Sequence, residues 1–311
     1  MSNHSTRALT RMTHPTRGFQ VSFLSAQGFA RWPRLTIALL LTLAGPARAQ
    51  ELPLELGLAP YISVRPLMAL FQPLASFLEE RLGRPVLLVT APSLREFDER
   101  VLAGGYEVAM LAPQTARLAQ KEAGYVPLLR VSDDLYGVFL VTEASPMASM
   151  KDLGNATIAF PDAFTATAHL GREAVATLGL SPTQIVYPLG FQDSLPMSLR
   201  RGEYGVALMN GSAFYQLKPE QREGVRVLAE TRHIPHVMFV AHPDMPAARQ
   251  AAVRAAIEEF MASPAGHQFS GLSGLSGVRA PTESELRKLD SLAQDHKRLL
   301  DESRKARSGS R

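Results

Sequence analysis

From Leu54 onward, short apolar runs alternate with helical stretches, and that alternation restricts the fold more than any other feature of the chain. Residues 54–58 read as a strand closed by Ala59-Pro60-Tyr61. Residues 66–81 read as a helix, with Leu67, Leu70, Phe71, Leu74, Phe77 and Leu78 at helical spacing. Strand 86–90 follows, then a helix marked by Leu94, Phe97, Val101 and Leu102 and closed by Gly104-Gly105. Strand 108–111 is cut by Pro113; helix 114–123 and strand 126–131 come next, and 138–141 reads as a strand leading out of a first lobe. Past Ser145-Pro146 the pattern restarts: strand 157–160, helix 166–178, strand 184–187, helix 194–201, and strands 206–209 and 225–229. Residues 237–241 carry the chain back, 247–262 is a helix, and 271–277 reads as a flexible loop. Leu286, Leu289, Leu292, His296 and Leu299 mark an amphipathic C-terminal helix.

Strands alternating with helices predict an α/β fold of parallel sheets with helices on both faces. Two such units joined by two crossings predict two lobes with a cleft between them. The expected division is lobe 1 over 50–142, lobe 2 over 143–233, a return to lobe 1 with the C-terminal helix over 234–300, and a disordered tail over 301–311. In open α/β sheets, ligands sit beyond the carboxyl ends of strands. Tyr61, Gln114 (after Pro113), Thr165 and Thr167, and Asn210 all fall there. Thr165 and Thr167 stand at the start of helix 166–178, where unpaired N–H groups and the helix dipole favour an anion. Threonine at that place also caps helices, so capping stands beside ligand contact for both.

The first fifty residues follow other rules. Residues 1–49 hold six arginines, no lysine and no acidic residue, with an apolar run at 35–43 and Ala47-Arg48-Ala49 before Gln50. That is the form of a secretory signal peptide cleaved near Ala49. The run is about half of the ~20 residues a spanning helix needs. Without the six arginines, the 33 basic residues fall to 27 against 29 acidic, a net charge of −2. The basicity is therefore mostly targeting signal and gives no support for nucleic-acid binding. There is no cysteine, hence no disulfide and no acylated N-terminal anchor. A soluble periplasmic protein is the expectation.

In order along the chain come Gly57-Leu58-Ala59-Pro60-Tyr61, Gly105-Tyr106-Glu107-Val108-Ala109-Met110-Leu111-Ala112-Pro113, Tyr136-Gly137-Val138-Phe139-Leu140-Val141, Met150-Lys151-Asp152-Leu153-Gly154, Gly202-Glu203-Tyr204-Gly205-Val206-Ala207 and Ile234-Pro235-His236. In that order and spacing, the chain resembles the periplasmic substrate-binding proteins of phosphate, phosphite and phosphonate ABC transporters. The resemblance implies a two-lobed type II periplasmic binding protein fold with two hinge crossovers. It also implies capture of a small, anionic solute and delivery to an inner-membrane ABC permease. Tyr61 and Tyr136 match positions where the family places aromatics at the cleft. Phosphonate binders of the family carry Ser-Thr-Ser-Gly where this chain has Phe164-Thr165-Ala166-Thr167. They carry a histidine directly after a serine where Ser194 is followed by Leu195-Pro196, and an aspartate where Glu107 stands. The fold and the binding role are thus what the resemblance implies; phosphonate itself is left open.

Two further residues complete the candidate set. Ser194 suits an N-cap or a ligand hydroxyl, with Asp193 beside it as a solvated or capping carboxylate. His236, on the return crossing, could supply positive charge if a ligand raised its pKa. His233, His236 and His242 are irregularly spaced, and a strand sends successive side chains to opposite faces, so no metal or other cofactor is expected. There is no G-x-S-x-G elbow and no H-E-x-x-H, so an enzyme is not expected. The alternative partner is a sensor kinase's periplasmic domain. A periplasmic hydrolase using Asp193 and Ser194 is the remaining option, and the chain is expected as a monomer.

Overall fold

The computed structural model describes residues 52–179, 184–188 and 194–309. The expected signal peptide, Asp193 and the last two residues of the chain lie outside the described residues. The chain enters through β1 (Leu54–Leu58), α1 (Val64–Leu82), β2 (Val86–Val89), α2 (Leu94–Leu102), β3 (Val108–Leu111), α3 (Pro113–Ala123) and β4 (Val126–Val131). A two-residue strand, β5 (Asp134–Leu135), leads to β6 (Gly137–Thr142), β7 (Ile158–Ala159), α4 (Ala166–Thr177) and β8 (Ile185–Val186). Then come α5 (Leu195–Arg200), β9 (Val206–Asn210), α6 (Gly211–Gln216), α7 (Pro219–Arg222) and β10 (Val225–Glu230). The return runs through β11 (Ile234–Pro235) into β12 (Met238–Ala241), α8 (Ala247–Ala262), α9 (Pro264–Ser273), β13 (Val278–Arg279), α10 (Glu283–Arg287) and α11 (Asp290–Ser308).

Two sheets result, ordered β13-β4-β12-β3-β1-β2 and β10-β6-β9-β7-β8. They are mixed rather than parallel. β1 pairs in parallel with β2 and β3, and β7 with β8 and β9. The strands that arrive by a crossing, β6 and β12, run antiparallel to both their neighbours. β6 belongs wholly to the second sheet, so the first crossing lies at β5 and not after residue 142. β5 and β11 pair with each other, Leu135 opposite Ile234, which straps the two crossings into a two-stranded hinge.

Both sheets are covered on both faces. Along β6, Val138 and Leu140 enter one apolar cluster and Phe139 and Val141 the other, so a period of two is hidden inside a continuous apolar run. The first sheet packs Leu56, Phe71 and Phe260 on one face and Phe97, Ala109 and Leu289 on the other. Ala166 and Leu170 of α4 join that second cluster, so the helix resting on the second sheet is packed into the first lobe as well.

Two expectations from the sequence fail at the C-terminal side. Residues 271–273 are the end of α9, which starts at the Ser263 cap and Pro264 and stops at Gly274 in the left-handed region. The chain does not lose order at 301; α11 runs to Ser308, with Arg304 and Arg307 both paired to Glu99 of α2.

α4 lies on its sheet through Gly171. A Cβ there would fall 2.2 Å from Leu208 Cδ2 and 2.7 Å from the Phe160 ring, both fully buried. Glycine to alanine inside a helix ordinarily gains about 1 kcal/mol. Here overpacking at about 1–3 kcal/mol opposes that gain and wins. Gly171→Ala is expected to lower the urea midpoint, whereas a neutral or raised midpoint would show that α4 can lift off its sheet.

Candidate ligand-binding site

α4 begins after a tight polar loop. Thr165 is its N-cap: the hydroxyl accepts from Ala168 N at 3.1 Å and donates to Asp162 O at 2.8 Å. The capping reading of this hydroxyl is the one the geometry meets. Of the remaining N–H groups in the first turn, His169 N bonds Thr165 O, while those of Ala166 and Thr167 have no partner among the described residues. The orphan donors that make a helix start attractive to an anion are therefore present, but they come from the backbone. Thr167 itself is 4 % exposed. Its methyl lies 3.3 Å from where a Cβ on Gly137 would sit, so it lines the entry to β6.

Around Gly137 the structure gathers three of the expected residues. Gly137 stands opposite Asn210 across the sheet, and Gly211 N donates to Tyr136 O at 2.9 Å. Asn210 caps α6 by accepting from Ala213 N at 2.9 Å. Gly211 leaves room for the Tyr136 ring, since a Cβ would fall 2.2 Å from it. That ring stacks on His233 at 4.3 Å, and burial, then the charge of Glu230, raise its phenol above the usual range. Thr231, absent from the sequence expectation, completes the cluster by accepting from Gly137 N at 2.8 Å. Only its place just past a strand end could have marked it.

Gln114 joins the lobes. It is the second residue of α3, fully buried, and its Nε2 donates to Phe164 O at 2.9 Å, immediately before the Thr165 cap. Its Oε1 is buried without a partner. α3 has no side-chain cap, Pro113 has no N–H, and Ala116 is the first of its residues to bond back, to Ala112 O. One glutamine side chain thus spans the gap between two helix N-termini, one from each lobe.

The other candidates are less connected. Tyr61 follows β1 and is 38 % exposed, yet burial by surrounding protein raises its phenol. Ser194 is exposed at the start of α5, and its side chain does not cap that helix. His236 stands without charge in the ligand-free chain. It is 7 % exposed, its Nδ1 accepts from Val237 N at 2.9 Å, and burial lowers its pKa to about 4, so at neutral pH it carries no positive charge. Among the described residues no three His, Asp or Glu side chains converge on a metal-ion position, and no helix is long and apolar enough to cross a membrane.

The cationic group at this end of α4 is one the sequence reading missed. Arg172 reaches back along its helix to Ala163 O at 3.1 Å and to Tyr187 Oη at 2.9 Å. Its Nη2 also meets His169 Nδ1 at 2.9 Å. His169 meets His296 at 3.0 Å, and His296 meets Asp98 at 2.8 Å. His296 looked like one more inward position of an amphipathic helix; a histidine on an apolar stripe was the available signal.

A family model described as the periplasmic substrate-binding protein of a phosphonate ABC transporter matches residues 56–286. No curated protein matches the chain. Among solved structures, the chain is similar to XAC2383 of Xanthomonas citri bound to ATP, at 17% identity and TM-score 0.67, covering 80% of this chain and 98% of that one. It is similar to PhnD1 of Prochlorococcus marinus in complex with methylphosphonate, at 12% identity and TM-score 0.68, covering 78% and 97%. The binding-protein component of an ABC phosphonate transporter from Pseudomonas aeruginosa aligns at 15% identity and TM-score 0.66, over 80% and 89%.

Proposed function

The chain belongs to the family of periplasmic substrate-binding proteins of phosphonate ABC transporters, and from that premise we propose that it captures a small phosphorus oxyanion between its lobes. The fold is the two-lobed type II periplasmic binding fold, and the family binds small solutes for ABC permeases rather than transforming them. The finer reading concerns the solute's charge. The observation that carries it is the meeting of the α3 and α4 N-termini, spanned by Gln114. Each terminus bears roughly half a positive charge, so two of them facing one another repel. An anion about 4 Å from one such pole gains on the order of 2 kcal/mol at an effective dielectric of 20, and one placed between them gains from both.

The orphan Oε1 of Gln114 adds a second requirement: a donor on the ligand. A protonated phosphonate or phosphate oxygen supplies one and a sulfonate does not. Tyr61, Tyr136, Thr165, Thr167, Ser194 and Asn210 are proposed as the surrounding walls, with Ala166 and Thr167 N–H as donors. His236 contributes shape and not charge. The mature protein would be a monomer in the periplasm after cleavage near Ala49. Two of the similar structures hold phosphorus oxyanions, methylphosphonate and ATP, which supports the reading.

Isothermal titration of the mature protein with methylphosphonate, phosphate, phosphite, a sulfonate and a small carboxylate tests it. Phosphonate or phosphate should bind and the sulfonate should bind far more weakly. Binding of a neutral solute with none of the oxyanions would sink the proposal.

A further inference from the structure

The buried line from Arg172 to Asp98 crosses from one lobe to the other. Asp98 lies on α2, Thr115 on α3, His296 on α11, and His169 and Arg172 on α4. Asp98, His169 and His296 are 3 %, 4 % and 0 % exposed. Hydrogen-bond polarity along the line is fixed from its two ends. Arg172 can only donate, so His169 Nδ1 must accept and its proton must sit on Nε2. That N–H then donates to His296 Nδ1, which leaves the His296 proton on Nε2, donating to Asp98 Oδ2. Both imidazoles are therefore neutral, and both carry their hydrogen on Nε2.

We propose that Asp98, His296, His169 and Arg172 form a proton-ordered brace that clamps the ligand helix α4 to the first lobe, so that lobe closure requires both histidines to be neutral. The inference does not depend on which solute binds. Neither imidazole can house an added proton. On His169 it would point at Arg172. On His296 it would point at the His169 N–H, unless His169 moved its own hydrogen to Nδ1, again against Arg172.

The charges facing the line agree with this. Burial first, then the positive charges of Arg172 and Arg298, hold His169 well below its usual value. Burial raises Asp98 while its bonds to His296 and Thr115 oppose the rise, and Asp162 adds negative charge. Opening the lobes returns His169 to water and to an ordinary imidazole value near 6.5. Through His169 the open state then binds more protons, so this ring favours opening in acid, while Asp98, raised by burial, acts against it. Below about pH 6.5 the closed-to-open ratio should fall through His169 by up to roughly tenfold per pH unit.

Two measurements on the mature chain test the brace. Imidazole ¹⁵N spectra should show His169 and His296 as Nε2–H tautomers, with His169 not titrating from pH 8 to pH 6.5. An Nδ1–H tautomer at either ring would overturn the inference. The chain has no cysteine, so Glu80→Cys with Met197→Cys places one nitroxide on each lobe at exposed positions. The inter-label distance should be single at pH 7.5, with a longer population by pH 5.0. In the His169→Gln, His296→Gln double variant, each glutamine offers an acceptor and a donor like the neutral imidazole but cannot titrate, so the short distance should persist at both pH values. An unchanged wild-type distance at pH 5.0, or a double variant that opens as the wild type does, refutes the brace. If the double variant does not fold, the tautomers and the wild-type distances decide alone.

Discussion

Taking the mature protein from pH 6.5 to pH 4 is expected to remove about 3 kcal/mol of unfolding free energy through His236 alone. His236 lies in the hinge crossing that follows β11, buried, with its Nδ1 accepting the Val237 N–H. Burial, the largest effect, and the nearby Arg130 lower its pKa from 6.5 to about 4, while Asp133 and Asp134 pull the other way. The unfolded chain takes up a proton near 6.5 that the folded chain refuses until about 4. Throughout that window the unfolded state holds more protons, so stability falls as pH falls. His169, also lowered, acts in the same direction, and Asp98, raised, acts against it. Glu285, lowered to about 2 chiefly by Arg279, and Asp290, lowered to about 2 by Arg117 and Lys121, lose their stabilisation as pH falls from the ordinary carboxylate range toward 2, so their window lies mostly below that of His236. Urea unfolding of wild type and His236→Gln at pH 6.5, 5.5 and 4.5 isolates the hinge histidine. The stability difference between the two proteins should shift steadily across that series in favour of the variant. A difference that stays constant with pH would mean that His236 is not held neutral by burial.

That histidine also shows what the sequence could and could not convey. β1, β3 and β4 were legible because each is an apolar run closed by Pro, Gly or a polar turn, and α8 because its helix-forming stretch is bounded by Pro246 and Pro264. Strand direction was not legible: nothing local in Val138–Val141 distinguishes a parallel strand from an antiparallel one, and the crossings decided it. The hinge strands β5 and β11 have two residues each, too few for any period to show. At the site, a hydroxyl at a helix start is equally a cap, and Thr165 is one. Whether His236 was charged depended on burial by elements more than a hundred residues away in sequence. The Asp98, His169 and His296 line spans 198 positions, and its members are scattered among apolar neighbours that dominate the pattern. What the residues did convey was that Gln114 and Thr165 each stand past a strand end at the start of a helix.

Gln114→Glu is expected to weaken oxyanion binding by at least about a hundredfold, close to 3 kcal/mol, with little change in fold. The variant differs from wild type by an oxygen for an amide nitrogen, so packing at this fully buried position is kept. Its carboxylate would sit between the two helix poles and take up the field that the solute needs, while repelling the incoming anion. It would also set an oxygen against Phe164 O in place of the present donor. Gln114→Leu separates these effects. Leucine leaves Phe164 O without its partner, which costs about 1–3 kcal/mol, but leaves both poles facing the cleft. If the poles hold the solute, affinity should fall far more for Glu than for Leu, and stability should fall at least as much for Leu. Raising the ionic strength should weaken wild-type binding only modestly, since buried charges are poorly screened. Equal affinity losses for the two variants in titration with methylphosphonate would mean that Gln114 acts only as a lobe contact. Wild-type affinity in Gln114→Glu would place the anion away from the two helix poles.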